Sequence, residues 1–411
     1  MNYRTKGNDM KLYFLIFAGL FFIISPFLNN SVAASSIVQS NNEFCFDLYG
    51  QLKSKKGNLF FSPYSISTAL AMTYAGAKGE TAKEMAKVLH FDMEDEQVHA
   101  AFSKLQSYLN SLQNNQDIEL AIANSLWIQS GYPILDSFFK IVTEMYGAGL
   151  NFVNFAADPD EAIKKINQWV ADKTQQKIKK LLTPAMINEL TRMVLCNAIY
   201  FKGDWLNPFD SNRTFEDDFY IMPDKAIKVP MMHQKAKFKY KNFGRFSAIE
   251  LPYSGNDLSM IIFLSNEKDN LFYLEQNLSR ANVERWIKEL SKAQSSKVVL
   301  HLPKFKVSCS FELGKALPKM GMKRAFSSQA DFSGITGKRD FYIGNVVHKA
   351  FIDVNEQGTE AAAATAVVMQ RAMLDLPIRF YVNHPFIFVI QERKTNAILF
   401  IGRIVDPSNP N

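Results

Sequence analysis

The strongest constraint on the fold is the separation of two hydrophobic periodicities along the chain. From Ser36 to about Phe152 the pattern is mainly helical, interrupted by a buried-strand run from Ile118 to Ile128, and Asp158 to Lys180 is helical again. From Met193 onward strand patterns dominate: Val194 to Phe201, Ala236 to Tyr240, Ser247 to Leu251, Leu258 to Leu264, Lys297 to Phe305, Val346 to Val354, Phe386 to Gln391 and Ile398 to Ile404. Helices first and strands later, without βαβ alternation, predict one α+β domain. Ser62 is placed to cap a helix with Pro63 in its first turn. Thr81-Ala82-Lys83-Glu84 fits a capping box for the next helix. The 34 Phe and 15 Tyr among 411 residues favour a sheet-rich core over a helical bundle.

The first 34 residues stand apart. Arg4, Lys6 and Lys11 precede an apolar run from Leu12 to Ile24, followed by Ser25-Pro26 and then by small residues Ser31-Val32-Ala33-Ala34. This layout predicts a secretory signal peptide over 1–34, because the run is shorter than the roughly 20 apolar residues of a membrane span. The mature chain, 35–411, is then expected as one extracellular, monomeric domain with neither a membrane nor a nucleic-acid partner. Cys45, Cys196 and Cys309 are too few for a disulfide framework, and Cys196 lies in a buried-strand pattern as a small core residue. The formal charge of +7 includes the three cations of the signal, offset there only by Asp9.

One stretch is ambiguous. Glu356-Gln357-Gly358-Thr359-Glu360 leads through Ala361-Ala362-Ala363-Ala364 to Arg371-Ala372-Met373. Gly358 marks a turn or bulge, since glycine takes positive φ without steric cost. Read with period two, one face is Thr359, Ala361, Ala363, Thr365, Val367 and Met369, all uncharged, while the other carries one charge, Glu360. Alanine propensity supports a helix. The alternation supports a loop able to become a central strand, because a buried unpaired charge there would cost about 3–5 kcal/mol. Residue types alone leave both readings open.

Motifs for catalysis are absent: there is no Gly-x-Ser-x-Gly elbow, His-Glu-x-x-His, phosphate-cradling glycine loop or Cys-x-x-Cys. The six histidines, 90, 99, 233, 301, 348 and 384, show no metal-ligand spacing. These absences argue against an enzyme, a metal centre or a bound cofactor. Lys235, Lys237, Lys239 and Lys241, with Arg245, make a basic stripe at alternate positions of a predicted strand. A solvated face accounts for it, and a polyanion such as heparin is the alternative.

Several separated motifs together resemble the serpin family of serine protease inhibitors. They are Asn58-Leu59-Phe60-Phe61-Ser62-Pro63-Tyr64-Ser65-Ile66-Ser67, Asn197-Ala198-Ile199-Tyr200-Phe201-Lys202-Gly203-Asp204-Trp205 and Glu250-Leu251-Pro252-Tyr253. Asp331-Phe332-Ser333-Gly334-Ile335, Val347-His348-Lys349-Ala350, Asn383-His384-Pro385-Phe386-Ile387-Phe388 and Ile398-Leu399-Phe400-Ile401-Gly402-Arg403 complete the set, in family order from about Ile37 to Pro407. The resemblance implies three β-sheets, eight or nine helices and an exposed reactive-centre loop over about 356–377. It also implies a suicide mechanism, in which a protease cuts the loop and is trapped as an acyl-enzyme when the loop enters the main sheet. Ser62, Ser65, Asn197 and His348 then belong to the shutter that the strand must pass, Trp205 to the breach where insertion begins, and Glu356 to Ala364 to the hinge. Family spacing puts the scissile bond at Ala372-Met373, suiting elastase-like or subtilisin-like enzymes. Arg371-Ala372 would suit a trypsin-like enzyme and Met373-Leu374 a chymotrypsin-like one. A non-inhibitory serpin serving as carrier, chaperone or storage protein is the competing expectation.

Overall fold

The structure, a computed structural model, describes residues 25–113, 117–359 and 376–410, with the side chains of 25–34 and of Thr359 left aside. Ten α-helices occur among these residues: α1 Ser25–Leu52, α2 Pro63–Tyr74, α3 Gly79–Leu89, α4 Asp95–Leu112, α5 Asp136–Lys140, α6 Pro159–Lys173, α7 Leu271–Asn277, α8 Arg280–Lys292, α9 Ala316–Met320 and α10 Ser333–Thr336. The first seven strands are β1 Leu59–Phe61, β2 Ile118–Gln129, β3 Gly149–Val153, β4 Met193–Asp204, β5 Thr214–Met222, β6 Lys225–Asn242 and β7 Phe246–Pro252. The other eight are β8 Leu258–Ser265, β9 Ser295–Pro303, β10 Phe305–Glu312, β11 Asn345–Val354, β12 Gly358–Thr359, β13 Ile378–Tyr381, β14 Phe386–Glu392 and β15 Ile398–Ile404.

Hydrogen bonding joins these strands into two networks. One runs β1-β15-β14-β8-β7-β6-β9-β13, with β5 also on β6; the other runs β10-β11-β4-β2-β3, with β12 on β4. The expected third sheet merges into the first because β6 is 18 residues long and pairs with β5, β9 and β7 along its length.

Local chemistry explains most element boundaries. The Ser62 hydroxyl accepts from the Ser65 N–H, and Pro63 opens α2 as expected. Asp158 caps α6 in the same way, accepting from the Glu161 N–H. Two expectations fail. Thr81-Ala82-Lys83-Glu84 lies inside α3, since its side chains serve distant backbone instead: Thr81 accepts from the Asp331 N–H and Glu84 from those of Lys323 and Arg324. Helix α6 stops at Lys173, short of Lys180, where Gln175 and Gln176 take φ of 49° and 62°.

The core lies on both faces of the β4 sheet. Met193, Leu195, Ile199 and Phe201 face the large core shared with the other sheet. Val194, Cys196 and Ala198 face a smaller one under Ile163, Ile166 and Val170 of α6. Burial on both faces explains the nearly unbroken apolar run of β4. All three cysteines are buried free thiols.

Candidate functional site

The residues singled out around the shutter meet at one level of the β4 sheet. Strand register places Asn124 of β2 opposite Asn197 of β4, and Asn197 opposite His348 of β11. Ser62 and Ser65, at the start of α2, close over this polar row. The His348 Nε2 accepts from the Ser62 N–H at 3.2 Å, which puts the single N–H of the neutral ring on Nδ1, donating to Asn197 Oδ1. The Asn197 amide donates to the Ser65 carbonyl at 2.9 Å and also contacts Ser65 Oγ and Asn124 Oδ1. Ser65 Oγ donates to Asn124 Oδ1 at 3.1 Å. Burial pushes the His348 imidazole down to about 3. Protonation would also set an N–H against the Ser62 N–H. The neutral ring is therefore part of the structure.

This row lies on a parallel seam. β11 pairs with β4 from Asn345↔Val194 to Ile352↔Phe201. Beyond it the chain turns back at Asn355–Gly358, where the Asn355 N–H donates to the Gly358 carbonyl at 2.8 Å, and β12 joins β4 antiparallel, Gly358↔Asp204 and Thr359↔Gly203. Gly358 has φ of 150°, and a Cβ on it would lie 2.1 Å from the Gly203 carbonyl oxygen. Only glycine fits this approach.

Trp205 secures the turn. Its N–H donates to the Gln357 carbonyl at 2.7 Å, its indole N–H donates to the Asn355 carbonyl at 3.0 Å, and its ring stacks on Tyr253 at 4.6 Å. Glu356 is held by Lys304 Nζ at 2.9 Å and by the Thr214 hydroxyl at 2.7 Å. Burial alone would raise its carboxyl, but the bonds from Lys304 and Thr214 outweigh that and hold it below the ordinary value.

Sequence reasoning missed Asn124, Lys304, Thr214 and Tyr253 as members of this site. Asn124 lies beside Ser125 in a run that reads as an ordinary buried strand, and nothing in the spacing of Lys304 or Thr214 points to Glu356. Glu360 to Ala364 and Arg371, Ala372 and Met373, and with them the helix reading of this stretch, lie outside the described residues. Its flanks are held on different sheets, β12 on β4 and β13 on β9. Of the basic stripe, Lys235 and Lys237 are exposed, Lys239 donates to the Ser291 carbonyl and Arg245 lies over the Tyr273 ring.

Comparison with known proteins places this geometry. The family model for serpins (serine protease inhibitor) matches residues 39–407. A leukocyte elastase inhibitor from Bos taurus is 40% identical, over 90% of this chain and 98% of its own. Among solved structures, Serpin48 of the insect Tenebrio molitor, described as a highly specific serpin, superposes with a TM-score of 0.80. It is 35% identical and covers 90% of this chain and 98% of its own. Human thyroxine-binding globulin superposes at 0.83 with 31% identity, covering 91% and 99%. The chain belongs to the serpin family.

Proposed function

We propose that the protein is a secreted suicide inhibitor of serine proteases that traps its target by inserting the segment after Gly358 between β4 and β11. The supporting observation is β12, which lies antiparallel on β4 just beyond the point where the β4–β11 pairing ends. Continued in the same register, each further residue of the segment steps one position back along β4. Ala361 would then face Phe201, Ala363 Ile199, Thr365 Asn197 and Met369 Met193. This is the uncharged face, and it would enter the large core. Thr365, the polar member, would arrive at the polar row and offer its hydroxyl as Asn197 and His348 part. On the opposite face Glu360 would meet Lys202, an opposite-charge cross-strand pair.

The mechanism follows from these positions. A protease attacks at Ala372-Met373, or at Arg371-Ala372, and its serine forms an acyl-enzyme with the loop. Insertion of about 15 residues at roughly 3.3 Å each carries the enzyme some 50 Å. Each inserted backbone hydrogen bond contributes about 0.5–1.5 kcal/mol net, so the ladder drives the movement. Trp205 guards the entry, and Ser62, Ser65, Asn197 and His348 form the latch the strand must open. Secretion rests on the basic, apolar and small-residue layout of 1–34, and the exposed Lys235 and Lys237 leave a polyanion such as heparin as an accessory ligand.

Incubation of the protein with trypsin and with an elastase, followed by denaturing electrophoresis, tests this reading. An SDS-stable adduct at the summed mass is expected, and the first residue of the released peptide identifies the scissile bond. Thr359→Arg should still be cleaved yet form no adduct, because the guanidinium would enter the core face. Cleavage by both enzymes without an adduct and without a gain in thermal stability would favour a carrier, chaperone or storage role instead. Terminal sequencing of protein recovered from the medium tests removal of residues 1–34.

A further inference from the structure

We propose that His233, His301 and Asp217 form a binding site for a divalent transition-metal ion of the zinc class. Linear spacing conceals it, because the two histidines are far apart in the chain. Antiparallel pairing of β6 with β9 sets His233 directly opposite His301. β5 pairs with β6 so that Asp217 lies opposite Val229, four residues from His233 and therefore on the same face of the strand.

The three side chains lie close together. The two imidazole rings stack with centroids 3.9 Å apart, and the Tyr381 ring stacks on His301 at the same distance. Asp217 Oδ2 is 3.9 Å from His301 Nδ1, and one ligand atom from each residue lies within 4.8 Å of the other two. His233 Nε2 is buried without a hydrogen-bond partner. A ring present only for packing would leave that nitrogen unsatisfied, whereas a cation would use its lone pair.

Two imidazoles and one carboxylate select zinc, copper or nickel over magnesium or calcium. Tetrahedral zinc with bonds of about 2.0–2.2 Å needs donor atoms roughly 3.4 Å apart. The donor atoms lie within 4.8 Å of one another, so binding requires χ rotations that unstack the two rings on the fixed strand scaffold. Because Tyr381 belongs to β13, the first strand after the 360–375 segment, a bound ion would brace the strand into which that segment returns.

The test uses the full chain, stripped with chelator and titrated with Zn²⁺ by calorimetry and with Co²⁺ by visible absorption. One equivalent is expected, with a four-coordinate Co²⁺ spectrum and a zinc-dependent rise in melting temperature. His233→Gln and His301→Gln should each weaken binding by about 100-fold or more, and Asp217→Asn by about 10-fold. His90→Gln, at a separate surface pair with Asp47, should change nothing. Asp217 is half exposed, so its variant reports on the site even if a histidine variant folds poorly. Absence of stoichiometric binding, or binding untouched by all three site variants, would overturn the proposal.

Discussion

The Asn197 side chain joins three elements: its carbonyl oxygen faces His348, and its amide donates to Ser65 and Asn124. Asn197→Ala should therefore cost about 2–4 kcal/mol in urea unfolding, since it strands buried partners on both sides. The same row creates a pH dependence. His348 titrates near 6.5 when unfolded and at about 3 when folded, so between those values the unfolded chain binds the extra proton. Its contribution is complete above about pH 6.5 and is lost progressively as pH falls toward 3. Stability measured across pH 7.5 to 4.5 should fall with acid, and His348→Gln should remove up to about 1.4 kcal/mol per pH unit of that slope. An unchanged slope would mean that the imidazole does not hold the seam in its neutral form. Gly358 is as strictly specified by backbone proximity. Gly358→Ala should displace β12 and cost more than about 1 kcal/mol, read as earlier hydrogen exchange at Trp205.

At the scale of elements, the turn between β11 and β12 depends on contacts from far along the chain. Lys304, between β9 and β10, and Thr214, at the start of β5, both hold Glu356. Lys304→Ala should lower stability by about 1 kcal/mol and weaken the docking of the turn on Trp205. The Glu356 carboxyl is held below its ordinary value, so its contribution is present above the carboxylate range and lost as pH falls through the folded value. A melting curve of Lys304→Ala at pH 7, and again in acid, separates the two: the difference from wild type should shrink in acid. The misplaced capping box is instructive at this scale. Thr81 and Glu84 have the right spacing for a cap, but α3 begins earlier and uses them to hold the Asp331 and Lys323 segments.

For the whole molecule, the proposed insertion parts the parallel β4–β11 pairing and places one more central strand between them. Cleavage within 360–375 should raise the melting temperature markedly, and Thr359→Arg should abolish that rise. Calorimetry before and after limited proteolysis reads both. The sequence by itself determined the α+β class, the strand identity of β4 and β11, the Ser62 cap, the glycine at 358 and the alternating small face after it. Each of these rests on local geometry: periodicity, backbone conformation or a hydrogen bond within one turn. Tertiary structure alone decided that Asn124 joins the Asn197 and His348 pair that the family resemblance placed in the shutter, that Lys304 and Thr214 hold Glu356, and that His233 faces His301. Those relations depend on strand register between distant segments, and register is fixed only when whole faces are buried together.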